Sequence, residues 1–222
     1  MTVELFVFPP SPRAVKVLAV ANHCGVEYQT RIVDLFKGDQ NHPEYIALNP
    51  NKRMPVLRDN TFVVWESNAI CQYLVGQSRR AELLPDDLRS RALVYQWQCW
   101  ELAHWVPMIG IFIEENVKKS LRGERPSVAE VEKAEHLFHI HAPILDSHLR
   151  DRPFLAGDDL TVADFSIGVW LDGADLAKYP LERYEHLRRW HATLGALPSW
   201  KHARAVSQTY LENMLARGRQ SA

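Results

Sequence analysis

Hydrophobic and polar positions divide the chain into two differently patterned regions. In the first, Val3 to Phe8 is a short run of β-branched and aromatic residues, the composition of a strand, halted by Pro9-Pro10, which cannot donate to an interior ladder. Ser11-Pro12 then supplies a capping residue followed by proline at the first helical position. Val15, Leu18 and Ala19 recur at helical spacing until Gly25, so a helix is predicted. A second strand is predicted over Tyr28 to Leu35 and a short helix over His42 to Leu48. Two brief strands, Met54 to Leu57 and Phe62 to Trp65, are joined by a polar hairpin turn at Arg58 to Thr61. Glu66-Ser67 opens a further helix whose apolar face carries Ala69, Ile70, Tyr73 and Leu74. The predicted order is β-α-β-α-β-β-α.

From Gly76 to about Asp87 the chain turns polar and punctuated, as a linker does. Beyond it no strand alternation persists. Helical patterns cover Leu88 to Asn116, Val128 to Leu149, Val162 to Lys178 and Glu185 to Leu194. The expected class is α/β plus all-α: residues 1–77 in the first domain, 78–87 as linker, and a helical bundle domain over 88–222. No internal repeat or low-complexity tract is visible.

Composition narrows the function classes. With 46% apolar residues among 222, cores are affordable, and a formal net charge of -1 gives no field to draw in nucleic acid or anionic lipid, so neither nucleic acid nor membrane is an expected partner. Cys24, Cys71 and Cys99 are scattered, with no C-x-x-C pair and no metal-ligand spacing, which fits a reducing cytoplasm and no metal. Glu4 occupies the place where a signal peptide would carry positive charge, and no apolar run approaches membrane-spanning length.

Three motifs carry the chemistry. They are Asn49-Pro50-Asn51-Lys52-Arg53-Met54-Pro55-Val56-Leu57, then Trp65-Glu66-Ser67-Asn68-Ala69-Ile70, and Gly157 to Phe165 with its Thr161-x-x-Asp164 core. Proline at 55 lowers the cost of a cis peptide, which would turn the Met54 main chain outward; the plain alternative is a structural turn into an edge strand. Ser67 at a helix start offers a hydroxyl and backbone amides to a carboxylate, and Glu66 can receive an ammonium group; the plain alternative is helix capping. Thr161-x-x-Asp164 reads as a capping box, with Leu160 and Phe165 as a hydrophobic staple, and Ser127-x-x-Glu130 as a second cap; neither has a catalytic implication.

Together the element order and these motifs resemble the glutathione transferase superfamily over nearly the whole chain, closest to its serine-type, theta-like bacterial group. The resemblance implies a thioredoxin-like first domain and glutathione as co-substrate, with no permanently bound cofactor. It further implies a small hydrophobic electrophile as second substrate and a homodimer. It places the cysteinyl main chain of glutathione against Met54 and Pro55 and its γ-glutamyl end at Glu66 and Ser67. The glycine carboxylate falls to Gln40 and Arg53, with Lys52 a weaker candidate.

A free thiol, with a pKa of about 8.5, is a poor nucleophile until ionised, and the family stabilises the thiolate with a Tyr, Ser or Cys near the first strand and helix. No Tyr precedes Tyr28, Phe6 and Phe8 cannot donate, and Cys24 lies late in the helix, which leaves Ser11, with Arg13 as an electrostatic assistant. Ser11 is equally explained as a simple N-cap. A thiol-disulfide oxidoreductase or peroxidase of the same fold would need cysteine at that position, and a non-catalytic glutathione-binding module is the other alternative. The second substrate is expected between the domains, beside a stripe formed by Trp97, Trp100, His104, Trp105, Met108 and Phe112, most of which should be core. Glu101 is a possible supplement to the γ-glutamyl site.

Overall fold

A computed structural model describes residues 3–78 and 81–220. The chain forms two compact units, one comprising residues 1–81 and 196–222 and the other 82–195. The first unit runs β1 (Val3–Val7), α1 (Pro12–Cys24), β2 (Tyr28–Ile32), α2 (Pro43–Leu48), β3 (Val56–Asp59), β4 (Phe62–Trp65) and α3 (Ser67–Gln77). Its four strands lie in the order β2-β1-β3-β4, β1 and β2 parallel and the other neighbours antiparallel. This is the predicted βαβαββα arrangement.

Strand boundaries moved for local reasons. β2 stops at Ile32, although Val33 still donates to Val7 O at 2.9 Å, because Asp34 and Asp39 close a turn in which Asp34 N donates to Asp39 Oδ2 at 2.9 Å. β3 begins after Pro55 rather than at Met54. The hairpin turn contracts to Asn60-Thr61, with Asn60 at φ 54°, a left-handed conformation that asparagine tolerates.

Alternation along β1 gives the sheet two covered faces. Phe6 packs with Val33, Tyr45 of α2, Met54, Val56 and Val63, its ring 6.3 Å from that of Tyr45. Val3, Leu5 and Val7 are buried with the opposite orientation. Helix α1 is buried at every residue from Ala14 to Ala21, a stretch apolar all round except at Lys16. Glu4 on β1 pairs with Arg31 of β2 at 2.8 Å and Arg58 of β3 at 2.5 Å, which pulls its carboxyl pKa below the usual range and ties three strands together.

The second unit is helical. Helix α4 (Leu88–Trp100) is capped by Asp87, which accepts from Ser90 N at 2.9 Å. The chain then continues through α5 (Val106–Phe112) and α6 (Lys119–Leu121), with wider π-helical turns at Glu101–Trp105 and Ile113–Lys118. The first of these turns precedes Pro107, whose missing amide and ring bulk do not fit an unbroken α-helix. Helix α7 (Val128–His148) starts at the Ser127 cap, and the predicted helix from Val162 to Lys178 is broken into α8 (Val162–Gly168), a 3₁₀ segment and α9 (Ala174–Ala177). Helix α10 (Glu185–Ala196) closes the unit, whose core stacks Trp105, Phe112, Phe138 and Tyr179 with ring centroids 5.2 to 6.2 Å apart.

The last helix, α11 (Pro198–Gln220), follows α10 in sequence yet groups with the first unit, because it packs along α1. Trp200 and Ala203 in it are fully buried, and Ser199 Oγ lies 3.3 Å from His23 Nδ1. Cys24, Cys71 and Cys99 are not joined in disulfides among the described residues. Among the described residues no helix is long and apolar enough to cross a membrane, and no three metal-ligating side chains gather.

Candidate functional site

Sheet register, rather than any single motif, assembles the site. Val7 at the end of β1 pairs with Ile32 at the end of β2; Phe6 pairs with Val56 at the start of β3; and Val56 in turn pairs with Trp65 at the end of β4. One edge of the sheet therefore collects the segments after β1, β2 and β4 and the segment before β3. Those four segments carry Ser11, Gln40, Arg53-Met54-Pro55 and Glu66-Ser67. Four separate stretches carrying seven candidate residues thus begin or end at the face beyond the strand ends, where open α/β sheets bind ligands.

Ser11 stands at the N-cap of α1, its amide donating to Phe8 O at 2.9 Å and its carbonyl accepting from Ala14 N at 2.9 Å and Val15 N at 3.1 Å. Its backbone is extended (φ -73°, ψ 130°), but its hydroxyl makes no capping bond. The simple capping explanation therefore does not account for this side chain. Arg13 lies half-buried in the following turn.

The segment before β3 is held from behind. Tyr45 Oη donates to Arg53 O at 2.6 Å, and Asn49 Nδ2 donates to the same oxygen at 2.8 Å; Asn49 is itself buried and accepts from Asn51 N at 3.0 Å. Burial raises the Tyr45 phenol above its ordinary pKa, so it remains a donor. The Met54-Pro55 bond is cis, as the motif led one to expect, and the Arg53 and Lys52 side chains are exposed. Gln40 sits half-buried in a 3₁₀ turn (Asp39–Asn41), with its Oε1 buried and without a partner among the described residues.

Glu66 takes φ 72°, a conformation that is uncommon for a residue with a side chain and is held only where the surroundings impose it. It is exposed and does not cap α3, while Ser67, the first residue of that helix, is 3% exposed. The sharp turn at Glu66 thus separates an outward carboxylate from an inward hydroxyl at a helix N-terminus. That spacing suits a ligand carrying ammonium and carboxylate on one carbon.

Two features of this face escaped the sequence reading. Phe8 is flanked by Phe36 (ring centroids 5.5 Å) and by Tyr210 of α11 (5.7 Å), both in edge-on contact, and Phe36 is 65% exposed. A lone phenylalanine in a polar loop was the available signal for Phe36; Tyr210 lay in a helix that the pattern had not revealed. Lys16, the one charge within the apolar stretch from Ala14 to Ala21 of α1, is fully buried.

In the second unit, the aromatic stripe is mostly core: Trp97, Trp105, Met108 and Phe112 are buried, Trp100 is half-buried and His104 exposed. Glu101 is fully buried and accepts from Trp170 Nε1 at 2.8 Å, a structural role within its own unit. Asp164 is likewise structural, accepting from Thr161 N, Thr161 Oγ1, Leu155 N and Trp190 Nε1 at 2.9 to 3.1 Å.

Comparison with known proteins agrees with this architecture. Residues 1–76 match the family model described as the glutathione S-transferase N-terminal domain, and residues 132–193 that of the C-terminal domain. The chain is 31% identical over 205 residues to glutathione S-transferase 3 of Zea mays, covering 89% of this chain and 91% of that protein. It is 31% identical over 188 residues to the probable glutathione S-transferase GSTF2 of Oryza sativa subsp. japonica (83% and 87% covered). Among solved structures, the glutathione transferase URE2P6 from Phanerochaete chrysosporium in complex with oxidized glutathione superposes with a TM-score of 0.84 at 27% identity. That match covers 94% of this chain and 97% of the other.

Proposed function

The chain belongs to the glutathione S-transferase family, and from that premise we propose that it binds glutathione across the strand-end face and activates its thiol for attack on a hydrophobic electrophile. The observation that supports this reading is the register that brings together the strand ends from which the segments carrying Ser11, Gln40, Arg53, Met54, Pro55, Glu66 and Ser67 extend.

In this reading the γ-glutamyl carboxylate rests on Ser67 Oγ and the first amides of α3, and the ammonium group meets Glu66. The Met54 main chain receives the cysteinyl backbone, and Gln40 and Arg53 take the glycine carboxylate. The thiol then points toward Ser11, whose uncommitted hydroxyl and helix N-terminus stabilise the thiolate. Sulfur attacks the electrophilic carbon, forming the C–S bond as the leaving group departs with its electron pair or, in an addition, as the π electrons move onto the acceptor. Phe8, Phe36 and Tyr210 offer aromatic surface beside that sulfur, which favours planar apolar acceptors.

Calorimetric titration with glutathione tests the binding half of the proposal. Ser67→Ala removes a donor to a charged group and is expected to weaken binding by about 1.5–3 kcal/mol, roughly 10- to 150-fold. Glu66→Ala, at an exposed position, should cost less, about tenfold or under. Full affinity in both variants would remove the γ-glutamyl assignment.

A further inference from the structure

Lys16 is a charged residue where the helix pattern calls for an apolar one. Val15 and Val17 beside it are buried, and Lys16 itself is 0% exposed. Its Nζ donates to Asn68 Oδ1 at 2.6 Å, bridging α1 to the second residue of α3. An ammonium group is costly to bury unless its interactions repay the lost hydration, so a lysine here calls for more than packing. Both helices start at the strand-end face, and Asn68 directly follows Ser67. The bridge therefore sets an ammonium group against the side chain of a residue in the first turn of α3.

We propose that Lys16 is a positioning residue for the γ-glutamyl carboxylate: through Asn68 it fixes the first turn of α3, and its charge makes that turn selective for ligands that keep the α-carboxylate. The inference rests on the glutathione reading above. Its distinct consequence is discrimination between glutathione and an analogue whose γ-glutamyl group is replaced by 4-aminobutyryl, which lacks only that carboxylate.

The test is calorimetric titration of both compounds into the wild-type chain and into Lys16→Met, Lys16→Arg and Asn68→Ala, with thermal melts to establish folding. Removal of a buried charge near an anionic ligand is expected to weaken glutathione binding roughly tenfold in Lys16→Met while the analogue's affinity stays within about twofold. Lys16→Arg should restore most of the loss. Folded Lys16→Met with unchanged glutathione affinity, or with equal losses for both compounds, overturns the proposal. If Lys16→Met does not fold, Asn68→Ala decides: a loss of about threefold confined to glutathione supports the proposal, and no loss or an equal loss overturns it. A wild-type chain that binds neither compound overturns the glutathione reading itself, and this inference with it.

Discussion

Ser11→Ala should return the thiol of bound glutathione most of the way to its free pKa of about 8.5 while leaving glutathione affinity within about twofold at about pH 5, where the thiol is protonated in both proteins. Two sources of stabilisation act on the thiolate in the proposed site, and their sizes differ. The α1 N-terminus contributes about 0.3–1 kcal/mol, less than one pKa unit, whereas a hydrogen bond to a charged acceptor contributes about 1.5–3 kcal/mol, or roughly one to two units. The hydroxyl is available for this because it makes no capping bond to its own helix. Removing it should therefore raise the thiol pKa by about one to two units and leave a small residual depression from the helix.

The kinetic consequence is smaller than the pKa change and depends on pH. At about pH 6.5, where the wild-type thiol is already partly ionised, the thiolate fraction should fall about 7- to 40-fold. A more basic thiolate is a better nucleophile, however, and a Brønsted slope of about 0.4–0.5 recovers part of the loss, leaving kcat/KM about two- to sixfold lower. The deficit should close as the pH rises past about 9. Thiolate absorbance against pH, measured on saturated wild-type and Ser11→Ala protein, separates the outcomes. An unaltered titration in a folded variant that still binds glutathione would make Ser11 a helix-terminus residue only and pass the activating role to Arg13.

How far the sequence could be read depended on whether the determining interaction was local. Proline pairs, a serine before Pro12 and Gly25 are local signals, and they placed β1 and α1 nearly to the residue. The two motifs around Pro55 and Ser67 pointed to unusual backbone, and the structure has a cis Met54-Pro55 bond and a positive φ at Glu66 on the face proposed for the ligand. Lys16 was not legible: its significance lies in a partner 52 residues away, and spacing within one helix does not reveal such a contact. Helix α11 was missed for a related reason. Over the part whose burial is described, 198–213, its buried apolar residues are Trp200 and Ala203, too few to stand out as a stripe, and it packs on α1. The broken helix after Asp164 shows the reverse failure, since an apolar run from Val162 to Leu171 looks helical throughout while Gly168 and Gly173 bracket a 3₁₀ turn.

Asp164→Ala is expected to be the most destabilising single substitution considered, by about 3–5 kcal/mol out of a total of roughly 5–15. The carboxylate is fully buried and serves four donors. Thr161 contributes its amide and hydroxyl, and Leu155 N and Trp190 Nε1, each 2.9 Å away, tie the start of α8 to the preceding loop and to α10. Alanine leaves all four without their acceptor in a site closed to water, and for a chain of this size the melting temperature should drop by about 6–20 °C. Asparagine keeps one acceptor oxygen and should lose less. Burial pushes the Asp164 pKa up to about 6 despite those donors, against an ordinary value of 3.8. Between these values the folded state holds a proton that the unfolded state has released, so this group's stabilisation is full below about 4 and is lost as pH rises through about 6. Wild type should therefore gain stability relative to Asp164→Asn as pH falls from about 6.5 to 4.5, against the trend set by Glu4, Glu114 and Glu115, whose pairing lowers their pKa values. Denaturant melts of the two proteins at both pH values measure that difference. A constant difference would mean that Asp164 stays ionised through the window and that its four donors outweigh its burial.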